Sequence, residues 1–182
     1  MSIERILKIG FFIGMSAAMI SCSKDSSLYK QYKKESSEKI QRNIAEDNEK
    51  QIIRTLEKYF DSSKNKDFKA YWECFSSEYQ NMLRRNSSGI PNYAMHWTSH
   101  ANGKPQLERI NSIAINGQRA LVNLCYSFTY PAFGFRMRHS ESEAHMAYEN
   151  SGWRIDNFFS IGREKTETFE PYQLEMIIPE LP

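Results

Sequence analysis

Apolar positions change their spacing several times along the chain, and each change marks an element. From Ile9 to Ile20 there are 12 residues without a charge, followed at once by polar Ser21 to Lys39. Beyond that, Ile40, Ile44, Ile52, Ile53, Leu56, Tyr59 and Phe60 recur at helical spacing, which predicts a helix over about 38–60. The polar run 61–66 breaks it. Asp67 is a good N-cap, and Phe68, Tyr71, Trp72 and Phe75 follow at i, i+3, i+4 and i+7, an aromatic helical stripe. Ser76-Ser77 restarts a third helical stretch with Tyr79, Met82 and Leu83, and residues 86–91 end it. Residues 92–104 fit either a short helix or a packed loop.

From Gln106 the period becomes two. Leu107 to Ile115 leads into Asn116-Gly117, a strong hairpin signal. Ala120, Val122, Leu124, Tyr126, Phe128 and Tyr130 then alternate with Leu121, Asn123, Cys125, Ser127 and Thr129, and Pro131 stops the strand. Phe133 to Tyr148 gives further strand, bent at Gly134. Residues 149–152 turn the chain into a last strand with Trp153, Ile155, Asn157 and Phe159 on one side. From Arg163 the tail still carries Phe169, Tyr172, Leu174 and Ile177, so it is expected to pack. Helices first and an antiparallel meander afterwards is an α+β order, with the aromatic stripes of the helices facing a curved sheet.

The N-terminus changes the picture of where this domain works. Arg5 and Lys8 outweigh Glu4 ahead of the apolar run. Twelve residues are too few for a spanning helix, which needs about 20, but they suit the central region of a secretory signal. Met19-Ile20-Ser21-Cys22 resembles the lipobox of bacterial lipoproteins, with Met19 in place of the usual leucine. The resemblance implies cleavage before Cys22 and a diacylglyceryl group, with palmitate-type chains, on the thiol of what becomes the new N-terminus, and two or more acyl chains hold a protein firmly to a bilayer. Ser23 resembles the outer-membrane sorting pattern. The organisation expected is a signal peptide over 1–21, a polar lipid-anchored tether over 22–39 and one α+β domain over 40–182, in the cell envelope and facing the periplasm from the outer membrane.

Charge and cysteines narrow the partners. Without residues 1–21 the chain keeps a net charge of +1 against +2 for the whole, no footprint for nucleic acid. With Cys22 committed to lipid, Cys74 and Cys125 remain. Cys74 sits beside its helix's apolar stripe and Cys125 lies away from the aromatic strand face, so two unpaired thiols are expected rather than a bridge.

The domain resembles the nuclear transport factor 2-like superfamily, also called SnoaL-like cone folds. The resemblance rests on Asp67-Phe68-Lys69-Ala70-Tyr71-Trp72, on Asn116 to Val122 and on Ser151-Gly152-Trp153-Arg154-Ile155-Asp156, and it spans roughly 45–162. It implies helices capping a curved antiparallel sheet around a conical pocket. In enzymes of that kind a His–Asp or Tyr/Asp group moves protons there. Here Asp156 has the parity of Arg154 and Phe158, not that of Trp153, and is not assigned catalysis.

No motif fixes a reaction, a cofactor or a metal. His96 and His100 share a helical face, but Trp97 stands where a zinc protease needs glutamate. His139 and His145 share strand parity with Glu141 and Glu143, which reads as a solvated edge. Phe133 to Arg138 mixes aromatics with cations, with Phe135 and Met137 expected inward. The aromatic set Tyr71, Trp72, Phe75, Tyr126, Phe128 and Tyr130 is first a core and, where the cone is not filled, the wall of an apolar ligand pocket. The reading is a membrane-anchored lipoprotein that binds a small apolar ligand or a protein partner, with a homodimer as one form. The alternatives are a SnoaL-like isomerase, dehydratase or hydrolase built on His96 or His100, or a subunit of an envelope or secretion assembly.

Overall fold

The structure, a computed structural model, describes residues 26–87, 90–174 and 176–182. Cys22 and the signal segment 1–21 lie outside the described residues. The chain divides after Ile44 into two units.

Helix α1 runs through that division, from Ser26 to Asn65. It begins well before residue 38 because no glycine or proline occurs between Cys22 and Ser88, and the polar stretch is rich in Lys, Glu and Gln, which are good helix formers. In the first unit the side chains from Gln31 to Ile44 are almost all exposed. Local bonds dress this stretch: Gln31 Nε2 donates to Glu35 Oε1 at 3.0 Å. Among the described residues no helix is long and apolar enough to cross a membrane.

The second unit holds the core. Among the side chains of α1 whose burial is described, only those of the last turns are buried: Ile52, Leu56, Tyr59, Phe60, Ser62 and Ser63. Helix α2 (Phe68–Trp72) starts where expected, with the Asp67 carboxylate accepting from the Ala70 N–H at 3.0 Å. Helix α3 (Ser77–Leu83) is capped by Ser76, whose Oγ accepts from the Tyr79 N–H. The Glu149 carboxylate accepts from the N–H and hydroxyl of Ser77, placing negative charge at the positive end of that helix. A two-residue hairpin, β1 (Asn86–Ser87) with β2 (Ile90–Pro91), leads into α4 (Asn92–Gly103), which settles the ambiguity of that segment as a helix. Lys104, left-handed with φ 42°, ends it.

Four strands follow as an antiparallel meander in spatial order β3 (Gln106–Asn116), β4 (Arg119–Tyr130), β5 (Phe135–Glu149) and β6 (Gly152–Thr168). The β3–β4 turn uses Gly117 at φ 60°. The β5–β6 turn puts Asn150 and Ser151 at φ 50° and 66°, the signature of a type I′ hairpin. The last strand extends past Phe159 to Thr168. Helices on a curved antiparallel sheet make this an α+β fold, as the order of patterns predicts.

Bulges curve the sheet and account for the main departure from simple alternation. Leu124 pairs with Ser142 but Tyr126 pairs with His139, so β5 carries one extra residue between them. That residue reverses the parity of β5. His139 therefore points inward with Tyr126 and is buried, whereas the alternation expected it beside Glu141 on the solvated face. His145 and Glu143, beyond the bulge, remain partly exposed and 3.7 Å apart. Two further bulges, after Leu107 and after Ile110, let Leu107, Ile110 and Ile113 all pack against the core.

The far edge of the sheet is covered near its start, at Ile155. Residues 74–76 lie along β6: the Ile155 N–H donates to the Cys74 carbonyl at 2.8 Å, and the Ser76 N–H to the Ile155 carbonyl at 2.8 Å. Trp153, 1% exposed, is held by its indole N–H to Asn48 Oδ1, and Thr55 Oγ1 donates to its carbonyl. Cys74 and Cys125 are both buried free thiols.

Candidate functional site

The predicted aromatic set falls on facing elements of the second unit. Tyr71, Trp72 and Phe75 come from α2 and its extension and are buried. Phe128 is buried beneath α4, while Tyr126 and Tyr130, on the same face of β4, stay half-buried. The six rings are joined into one cluster through Tyr59, Phe60 and His100. Tyr71 meets Phe75 edge-on at 4.9 Å between centroids, Phe60 lies 5.7 Å from Tyr126, and Phe128 lies 4.9 Å from Tyr130. These six side chains line neither the cleft beside α1 and β3, nor the one at the β3–β4 turn, nor the one around Asn111, Asn123 and Glu141.

Two residues of α4 turn this cluster from a hydrocarbon core into a hydrogen-bonded one. His96 and His100, one turn apart, have ring centroids 4.6 Å apart. His96 Nδ1 is 2.7 Å from the Tyr71 hydroxyl, and its Nε2 is 3.5 Å from that of Tyr79. The Tyr59 hydroxyl sits 3.2 Å from His100 Nδ1. Burial disfavours charge on every member. It lowers His96 to about 4, takes His100 well below the usual histidine range with help from His96, and raises the phenols of Tyr59 and Tyr71 well above theirs. The histidines are therefore neutral at pH 7 and act as hydrogen-bond partners to phenols. Their side-chain partners among the described residues are hydroxyls, with no carboxylate in reach.

A third imidazole sits on the sheet itself. His139 stacks on Tyr126 with centroids 4.4 Å apart and planes 3° from parallel. Its Nδ1 bonds the Ser160 hydroxyl, and the Tyr130 hydroxyl lies 3.5 Å from its Nε2. Burial first, and the positive charge of Arg163 second, bring it down to about 4. Phe135 extends the row, 5.0 Å from Tyr130, with the Lys165 ammonium 4.9 Å above its ring. Phe133, at the tip, is 72% exposed.

Asp156 is tied up elsewhere. One carboxylate oxygen accepts from the Ser76 hydroxyl at 2.6 Å and the other from the Arg119 guanidinium. It links the 74–76 segment to the sheet and does not meet the histidines. Cys125, close to the ion pair of Arg138 with Glu108, has its thiol 3.2 Å from the Glu108 carboxylate. Burial and that carboxylate push the thiol up. Among the described residues no group of three or more His, Cys, Asp or Glu side chains is gathered as a metal would need.

Alternation alone missed His139, because a bulge is invisible to a period-two count. Tyr59 was recognised only as part of an apolar stripe. The i, i+4 spacing of His96 and His100 did signal a shared face, and a helix over 92–103 makes that signal right.

A cleft of about 700 Å³ lies between the C-terminal turns of α1 and β3. Phe60, Leu107 and Ile110 contribute apolar surface to it. Charged side chains of both signs surround that surface.

No protein-family model matches the chain, and no curated protein matches it in sequence. Among solved structures it is similar to a nuclear transport factor 2-like protein of unknown function from Shewanella oneidensis, with a TM-score of 0.42 and 13% identity over 60% of this chain and 94% of that one. It is similar to another protein of that description from Burkholderia xenovorans, with a TM-score of 0.36 and 20% identity over 69% and 90% of the two chains. A third similar structure is an LEH-like epoxide hydrolase of M. tuberculosis, with a TM-score of 0.37 and 17% identity over 60% and 84%.

Proposed function

We propose that this protein is an envelope lipoprotein, held by lipid on Cys22 at the outer membrane and facing the periplasm, whose second unit binds a small apolar ligand or a partner rather than transforming a substrate. The observation that carries the binding half is the pairing of His96 and His100 with tyrosine hydroxyls. A histidine–carboxylate proton-transfer pair would need a carboxylate within hydrogen-bond reach, whereas the side-chain partners of these imidazoles among the described residues are phenols that burial holds protonated. Tyr126 and Tyr130 offer half-buried aromatic surface with polar tips, Tyr126 packed on Phe60, Phe158 and His139 and Tyr130 on Phe128 and Phe135. The anchoring half rests on the short uncharged run before Ser21-Cys22.

Two measurements test the two halves separately. Growth with radiolabelled palmitate should label the wild-type chain and leave the Cys22→Ser variant unlabelled; label on the variant removes the anchor. Native mass spectrometry of the protein from Ser23 onward, purified gently from a periplasm, should show a monomer with a reproducible extra mass. A second reading is favoured by Phe159 and Ile161, which are 45% and 66% exposed on β6. A bare dimer in the same spectrum would favour assembly through that face of the sheet.

A further inference from the structure

We infer that the C-terminal tail is a latch on α4, and that its release opens the histidine–tyrosine cluster to a small apolar molecule. The inference rests on the ligand-binding reading above. Helix α4 is held on two flanks. On one, His96 and His100 meet the hydroxyls of Tyr71 and Tyr59. Thr98 lies about 160° around the helix from both. Its hydroxyl accepts from the Ile177 N–H at 2.9 Å and donates to the Ile177 carbonyl at 3.0 Å. One side chain of α4 thus clamps both backbone groups of one tail residue, and Ile177 itself packs against the core.

The tail reaches Thr98 from the aromatic end of the sheet. The Phe169 N–H donates to the Gly134 carbonyl at 2.8 Å, and the Tyr172 N–H to the Pro131 carbonyl at 3.1 Å. A Cβ at Gly134 would lie 2.3 Å from the Phe169 carbonyl oxygen, so the glycine is what lets the tail come this close. Beyond Thr168 the described residues belong to no helix or strand, and Tyr172, Met176 and Ile178 stay exposed. Segments with so little buried apolar surface open locally, without unfolding the core. The aliphatic end of the sheet, with Leu124, Met146 and Ile155 fully buried, cannot yield in that way. With α4 held down, the aromatic set lines none of the three clefts described above. A molecule that takes this surface must displace an element, and α4 is the one fastened by a detachable segment. Because both imidazoles are neutral, the molecule that fits is uncharged, with a hydroxyl or carbonyl to meet them.

The probe is diethyl pyrocarbonate, itself small, uncharged and apolar. It is applied at pH 7 to the acylated full chain in mild detergent, and modification is followed histidine by histidine by mass spectrometry. His145, partly exposed, and His139, buried in the sheet, are internal controls. Ile177→Asp should raise the rates at His96 and His100 about tenfold, the shift expected when one aliphatic side chain loses its burial. The rates at His139 and His145 should stay at their wild-type values. Thr98→Val keeps the shape of the side chain and removes both clamp bonds, and it should raise the same two rates about fivefold. Unchanged rates at His96 and His100 in both variants, or a rise at His139 that matches theirs, overturns the inference. A wild-type protein without a co-purified mass removes the ligand reading alone, because the histidine rates report the latch independently.

Discussion

The inner face of the sheet is built differently at its two ends. Towards the β3–β4 turn it consists of Val122, Leu124, Ala144, Met146 and Ile155, each without exposed surface. Beyond the β5 bulge it consists of Tyr126, Phe128, Tyr130, Phe135, Met137 and His139, four of them half-buried. The first end is aliphatic and is closed by Trp153 and the last turns of α1. The second is aromatic, carries hydroxyls and an imidazole, and leads to an exposed tip at Phe133. Aliphatic groups buried without exposure contribute stability through volume and area. Half-buried rings with polar tips contribute less stability and present a surface. The difference teaches that one face can be closed and aliphatic at one end and half-buried and aromatic at the other, with a single extra residue in β5 at the boundary.

The sharpest way to break the comparison is at the closed end. Trp153→Ala removes the largest fully buried side chain and orphans Asn48. We expect a loss of about 3–5 kcal/mol in urea unfolding. A loss comparable to that of Tyr130→Leu would mean the two ends do not differ in kind.

Acid should act next most strongly, through the histidines. His96, His100 and His139 all have pKa values held below that of an unfolded histidine, His96 and His139 at about 4. Below about pH 6.5 the unfolded chain therefore binds protons that the folded chain refuses. Stability should be full above that pH and should fall as the pH drops towards 4. Urea midpoints at pH 7.5 and pH 5 measure it. His96→Gln/His100→Gln should flatten most of the dependence, and an unchanged slope would place its origin in other groups.

Much of this architecture was legible in the sequence, and the reasons are local. Asp67 and Ser76 announced their helices because capping depends on nearby residues. Asn116-Gly117 announced its turn because the turn needs a left-handed backbone. The aromatic stripe at 68–75 marked the buried face. What escaped was non-local or cumulative. The helix from Ser26 has too few apolar residues to register as a stripe, and the inward turn of His139 depends on a bulge that only pairing with β4 defines. The cleft beside α1 involves residues about 50 positions apart, which no periodicity can bring together.

Gly103 tests the contact between α4 and the boundary region. A Cβ there would lie 2.2 Å from the Phe128 ring, so Gly103→Ala forces the ring or the helix end to move. We expect a cost of about 1–3 kcal/mol. Gly103→Ala with Phe128→Leu should recover part of it, and no recovery would place the strain in the helix terminus.

The smallest change in stability should carry the largest change in binding. Tyr130→Leu keeps apolar bulk at a half-buried position while removing the hydroxyl beside His139 and the ring contacts to Phe128 and Phe135. Aromatic pairs contribute about 0.5–1.5 kcal/mol beyond area, so stability should fall by about 1 kcal/mol. If the open end of the face is a ligand wall, native mass spectrometry should then show the co-purified mass reduced or lost, while Leu124→Ala, about 2–5 kcal/mol less stable at the closed end, should retain it in its folded fraction. The opposite pattern, with the mass kept by Tyr130→Leu and lost from folded Leu124→Ala, would put the ligand at the aliphatic end and make the aromatic row a structural seam.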